Sequence, residues 1–176
     1  MIDLYRGILG WLDRQSSLLP LAARLVFAGV LLAYFWASAA TKLDSFPFGL
    51  SIGAYAQIFP RVFEAAGYNA AEMGLFHRLV IILGTYGEFI LPLLITIGLF
   101  TRLAALGMMG FVLVQSATDI WGHKAGAQTI GAWFDRDSAS LIADQRSLWL
   151  LLLLILVLRG AGPLSLDNLA RRRFGL

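Results

Sequence analysis

The chain contains no cysteine. It therefore forms no disulfide, offers no thiolate to zinc or to an iron–sulfur cluster, and cannot hold a c-type haem covalently. Charge is scarce as well: Asp, Glu, Lys and Arg together make up 14% of the 176 residues, against roughly 25% in a soluble domain. Histidine occurs only twice, at His77 and His123, too few and too far apart to form a recognisable metal-ligand spacing. No glycine-rich phosphate loop is present. The basic residues are scattered except for Arg171, Arg172 and Arg173, so the net charge of +3 reflects membrane topology rather than nucleic-acid binding.

What is abundant is apolar. Hydrophobic residues make up 59% of the chain and the mean hydropathy is +0.74. They come in spans rather than in short alternating runs, which marks an integral membrane protein. Four transmembrane helices are predicted, at about 19–41, 79–99, 103–119 and 146–159, each near the roughly 20 residues a helix needs to cross a bilayer. The triplet Ala37-Ser38-Ala39 resembles a signal-peptidase site, but the apolar run around it is too long for a signal peptide and a substantial segment precedes it, so no cleavage is expected. Residues 2–15 repeat Leu4, Ile8 and Leu12 every four positions, with Asp3, Arg6, Asp13 and Arg14 elsewhere on the wheel. This is the pattern of an amphipathic helix lying at the membrane surface, ended by Ser16, Ser17 and Pro20. Residues 43–77 are too apolar for a linker and should pack over the bundle, with short helices near 50–59 and 60–67. Residues 160–176 read as a basic tail. The expected architecture is an all-α, four-helix membrane bundle forming one domain over 1–176.

With four spans both termini share a side, and the short 99–103 turn and the arginine-rich tail place that side in the cytoplasm. The expected location is the inner membrane of a bacterium, with the two long connections facing outward.

The second span holds a carboxylate, Glu88, near mid-membrane. Such a group is costly in lipid and usually faces a protein interior and a partner. Pro92, four residues on, has no N–H for the Glu88 carbonyl and should kink the helix there. Arg24 is the expected partner of Glu88, at an axial offset on the order of 7–10 Å, with Lys42 at the outer rim a weaker candidate. Helical spacing aligns His77 with Glu88 and Gly84, and Gln115 with Asp119. Together with Trp121 and His123 these seams predict a pocket in the outer half, floored by Glu88 and lined by Arg24, Lys42, His77, Gln115, Asp119 and His123. Two readings stay open: a ligand pocket, for instance for a quinone headgroup, or a structural polar clamp beneath an ordinary interfacial belt of Trp121, Trp133 and Trp149. Asp119 and His123 would be an i, i+4 pair if the third helix continued through Trp121, against which Gly122 argues. Gly84, Gly87, Gly107 and Gly110 read as close-packing positions. No metal site and no catalytic residue is expected.

The stretches RLVFAG and WASAATKL in the first span, GEFILPLLITIGLFTRLAALGMMGFVLVQS across the central hairpin, and LVLRGAGPLSLD at the end resemble the DoxX family of small four-helix bacterial membrane proteins. The matching positions are Arg24, Lys42, Glu88, Gly98, Arg102, Gly162, Pro163, Ser165 and Asp167, with Arg24, Glu88 and Arg102 as the polar core. The stretch TDIWGHKAGAQTIGAWFDRD resembles the subgroup found beside bufferin-type metal-stress proteins. The resemblance implies a membrane subunit of a quinone-linked oxidoreductase complex, with noncovalently bound quinone and other membrane or periplasmic subunits as partners, or a homo-oligomer. The alternatives are a non-enzymatic component of a metal- or oxidative-stress system, or a small-solute transporter, the latter disfavoured by the absence of an internal repeat.

Overall fold

The computed structural model describes residues 2–45, 47 and 49–175. The side chains of Leu12, Asp13 and Arg14, part of the expected amphipathic wheel, lie outside the described residues, as do Phe46 and Phe48 of the first long connection.

The chain is a four-helix membrane bundle. The first helical run covers Ile2–Ala40. It begins as α1 (Ile2–Gln15), tightens into a 3₁₀ turn at Ser16–Leu18, continues as α2 (Leu19–Phe27), widens into a π turn at Ala28–Leu32 and ends as α3 (Ala33–Ala40). The serines and Pro20 thus change the helix type without breaking its path. Proline is tolerated because it falls in the first turn of α2, where its missing N–H costs no bond. The apolar residues of α1 face outward: Leu4, Ile8 and Trp11 are all exposed.

The first long connection is structured. Strands β1 (Leu43–Ser45) and β2 (Gly49–Leu50) form a small antiparallel hairpin that the sequence reading did not anticipate. The helices α4 (Ile52–Ile58) and α5 (Pro60–Ala65) follow where two short helices were expected. The Ser51 hydroxyl caps α4 by accepting the Ala54 N–H, and it also donates to the Thr41 carbonyl, which ties the connection to the end of the first span. Ala54, Tyr55, Phe63 and Met73 pack with Ile81 into a second small core, so the connection does cover the bundle.

The remaining spans are α6 (Leu75–Ile97), α7 (Thr101–Ala117) and α9 (Ser147–Arg159). α6 runs through Pro92. α7 does not stop before Gly122: it extends through a π turn at Thr118–Gly122, contrary to the expectation from that glycine. Between them lies the single-turn α8 (Ala127–Ile130), and a π turn at Leu141–Arg146 lengthens the fourth span to Leu141–Arg159. The tail is helical as α10 (Leu166–Phe174), capped by the Ser165 hydroxyl on the Asn168 N–H. The main core is built from Phe27, Leu31 and Phe35 of the first span, Ile95 of α6, Met108 and Val112 of α7, and Leu153 and Leu156 of α9. Span hydroxyls are silenced locally: Thr85, Thr96 and Ser116 each donate to the carbonyl four residues earlier.

At the end of the bundle bearing both termini, one side chain ties three segments. The Arg24 guanidinium donates to the carbonyls of Ile95 (3.0 Å), Thr96 (2.7 Å), Ala161 (3.0 Å) and Leu164 (2.6 Å). The first two belong to the last turn of α6, where carbonyls lack the usual i+4 partner; that of Ile95 also accepts the Gly98 N–H at 3.2 Å. Gly98 closes that helix at φ 71°, and a Cβ there would come within 2.5 Å of the Ser165 Cβ and 2.8 Å of the Arg24 Cζ, so only glycine fits. The Asp167 carboxylate caps α7 by accepting the N–H groups of Phe100 (2.7 Å) and Thr101 (2.9 Å). Arg102 is exposed and stands outside the polar core in which the family resemblance had placed it.

Candidate functional site

The opposite end, which carries the two long connections, holds the polar centre. Lys42 Nζ lies 2.7 Å from Glu88 Oε2, and the side chains are 6% and 2% exposed. Ser38 completes the cluster. Its hydroxyl donates to Glu88 Oε1 (3.0 Å) and accepts from Lys42 Nζ (2.8 Å), while the Ser38 carbonyl accepts a second Lys42 N–H (3.1 Å). Both carboxylate oxygens are therefore satisfied, as a buried charge requires.

This corrects the expected Arg24–Glu88 pair. Side chains on a helix tilt toward its N-terminus. In the first span that tilt carries Arg24 away from the membrane centre, while Lys42, in the turn just past α3, folds back down toward it over Ser38. α6 runs the other way, so the tilt of Glu88 points up to meet Lys42. Counting axial rise alone gives the wrong partner.

A cavity of about 490 Å³ opens beside the pair, between α6 and α7 and beneath α4. Of the predicted site residues, Glu88, Lys42, Gln115, Asp119 and His123 line it. Arg24 does not, for the reason just given. His77 does not either: its ring packs edge-on against Phe59 and Phe76, and its Nδ1 is buried without a hydrogen-bond partner among the described residues. Gly84, Gly87, Gly107 and Gly110 also line the cavity. Only Gly107 is tight, with Leu91 3.3 Å from where a Cβ would stand; around Gly110 there is open space. At Gly110 the missing side chain makes room rather than close helix contact, unlike the packing role expected for the four glycines.

Two groups in the cavity wall have unspent polar capacity. Gln115 Nε2 donates to the Tyr34 hydroxyl at 3.3 Å, but Gln115 Oε1 is buried and has no partner among the described residues. Asp119 uses Oδ2 to accept from Arg146 Nη2 at 2.6 Å. Arg146 was missed as a functional neighbour. It is 2% exposed, donates also to Ser116 Oγ, and stands on the π turn facing the one that carries Asp119. The usable signal was one charge of each sign at the same end of two adjacent antiparallel spans. Asp119 does not pair with His123, whose ring nitrogen instead meets the Gln57 carbonyl at 2.9 Å. Asp135, Asp137 and Asp144 accept hydrogen bonds from their own loop, and among the described residues no three His, Asp or Glu side chains gather as a metal site.

The sequence model of the DoxX family matches residues 19–118. The chain belongs to the DoxX family. The matched segment holds the first three spans, and with them Lys42, Glu88 and most of the cavity wall. Asp119, His123, Arg146 and the Asp167 cap of this DoxX protein lie beyond it. Searches among curated proteins and among solved structures return no match.

Proposed function

We propose that this DoxX protein is a membrane subunit of a redox complex that holds a quinone in the cavity beside Lys42 and Glu88. The observations that carry the reading are a mostly apolar cavity of about 490 Å³ with Gln115 in its wall, and the Gln115 Oε1, buried without a partner among the described residues. Ligand pockets are typically apolar with a few placed polar groups, at about 300–1,000 Å³. A buried acceptor without a donor costs free energy that a bound donor would recover. A quinone headgroup is flat and apolar on its faces and carries two oxygens at its edge. Those oxygens accept hydrogen bonds in the oxidised form and donate them in the reduced form. Gln115 offers both a donor and an acceptor, and His123 and Asp119 stand at the rim. The bound quinone would supply two-electron redox chemistry; the protein's own residues bind and orient it and hold charge at Lys42 and Glu88.

In this reading the chain sits in the bacterial inner membrane with both termini in the cytoplasm, in keeping with the basic short turn and tail. Any electron carrier is bound noncovalently or belongs to a partner subunit, because a chain without cysteine carries no thiol chemistry of its own. The test is organic extraction of the protein purified in native lipid discs, followed by titration with a short-tailed quinone read by tryptophan quenching. Quinone retained above the lipid background, and an affinity lowered about tenfold by Gln115→Leu, a change of 1.4 kcal/mol, would support it. Absence of both retention and quenching would end it.

A further inference from the structure

We infer that the cavity takes its ligand from within the bilayer, through a lateral opening between α6 and α7, and that the ligand is a tailed amphiphile whose chain leaves through that opening. This rests on the ligand-binding reading of the same cavity and adds the ligand's class and route.

The water-facing rim, where Gln57 and His123 are exposed, is bridged by contacts. α4 and α5 lie across the end of α7 and are fastened to it at three successive positions. Arg61 Nε donates to the Trp121 carbonyl at 2.9 Å. Pro60 stands 3.0 Å from where a Gly122 Cβ would be. The Gln57 carbonyl meets the His123 ring at 2.9 Å. Gln57 and His123 both line the cavity, so this last contact is a clasp across its upper rim.

The lipid-facing side has no such cover. Leu83 on α6 and Val114 on α7 line the cavity, yet they are 71% and 67% exposed, on helices long and apolar enough to cross a membrane. Both residues therefore place cavity wall at the outer surface of the bundle. Gly110 lies one helical turn from Val114 on α7, is exposed, and has no atom within 4 Å of where its Cβ would stand. The cavity is thus polar at Lys42, Glu88 and Gln115 and apolar where it meets lipid. That polarity matches a molecule with a hydrogen-bonding head and a hydrocarbon tail, and not a water-soluble solute.

The test uses the full chain in lipid discs and three probes: a decyl-tailed benzoquinone, the same benzoquinone without the tail, and a decyl-tailed amide without the ring. Gly110→Leu places a side chain in the opening, and Val114→Trp narrows it by an independent route. Both positions are exposed, and an unshifted thermal midpoint establishes that each variant is folded. The expected result is that both variants weaken the tailed quinone at least about tenfold and leave the tail-less quinone within about twofold. An Arg61→Ala variant, which removes the bond to the Trp121 carbonyl and so loosens the clasp without touching the cavity lining, should leave the tailed quinone unaffected. Equal loss for tailed and tail-less quinone, or no loss for either, overturns the lateral route, as does tighter or faster binding when the clasp is loosened. If the wild type binds the tailed amide but neither quinone, and Gly110→Leu abolishes that binding, the route stands and the quinone reading falls. If no probe binds the wild type, both fall.

Discussion

Lys42 and Glu88, forty-six residues apart in sequence, meet at 2.7 Å with almost no exposure to solvent. Glu88 lies on α6, whose side chains tilt toward its outer end, and Lys42 stands in the turn just past α3 and folds back over Ser38 to meet it. A buried pair of this kind contributes little by itself, but removing one partner strands the other charge, at a cost of about 3–5 kcal/mol. Lys42→Met should therefore destabilise the protein by about that much, and Glu88→Leu by a similar amount. The double change should recover most of the loss. Unfolding in mixed micelles, arranged as a double-mutant cycle, measures the coupling; additive losses would mean that the two charges do not depend on one another.

Arg24 serves a different purpose from the one its sequence position implied. Its guanidinium spans four carbonyls of two segments, a task that needs the planar fork of arginine and not only its charge. Arg24→Lys should lower stability by about 3 kcal/mol, from the loss of charge-assisted bonds worth about 1.5–3 kcal/mol each. Gly98→Ala, which drives a Cβ into Ser165 and Arg24, should do comparable damage. Thermal midpoints in one detergent suffice. A lysine variant indistinguishable from wild type would show that the carbonyls find other donors.

The four spans were legible because each is a long apolar run. The mid-membrane carboxylate and the polar residues above it were legible for the same reason: charge in lipid stands out. Partner choice was not. Arg24 and Lys42 are both cations on one face of the first span, and only the direction in which each side chain turns separates them. The extension of α7 through Trp121 to Gly122 was hidden because a π turn carries the helix up to a glycine that suggests an earlier stop. The β-hairpin at Leu43–Leu50 left no alternating pattern long enough to read. Arg146 was overlooked because it was assigned to the edge of a span, whereas the π turn at Leu141–Arg146 draws it inside.

The tail is part of the fold. Asp167 reaches back sixty-six and sixty-seven residues to cap the first N–H groups of α7, and its own N–H donates to the Gly98 carbonyl at 2.8 Å. Asp167→Ala should cost about 1 kcal/mol, the usual value of a helix cap. It should also speed amide hydrogen exchange at Phe100 and Thr101 more than at the middle of α7. Asp167→Asn should retain part of the protection, since the amide oxygen still accepts but carries no charge to meet the helix dipole. Uniform acceleration along α7 would point to global loosening instead of a lost cap.

Asp119 and Arg146 permit a comparison that separates structure from ligand contact. Either substitution breaks the 2.6 Å pair, but only Asp119 lines the cavity. Arg146→Met removes the positive charge from a fully buried position and replaces it with an apolar chain of similar length. Asp119→Ala leaves that charge without its carboxylate and should be the more destabilising, by about 3 kcal/mol. Combining the two should recover much of that loss. Quinone affinity should follow a different order. Asp119→Asn, which keeps an acceptor toward Arg146 and loses the charge, should weaken binding about tenfold, while Arg146→Met should leave it within about threefold. If affinity instead falls in step with stability in both variants, Asp119 shapes the wall and does not touch the ligand, and the polar contacts of the headgroup reduce to Gln115, His123 and the Lys42–Glu88 pair.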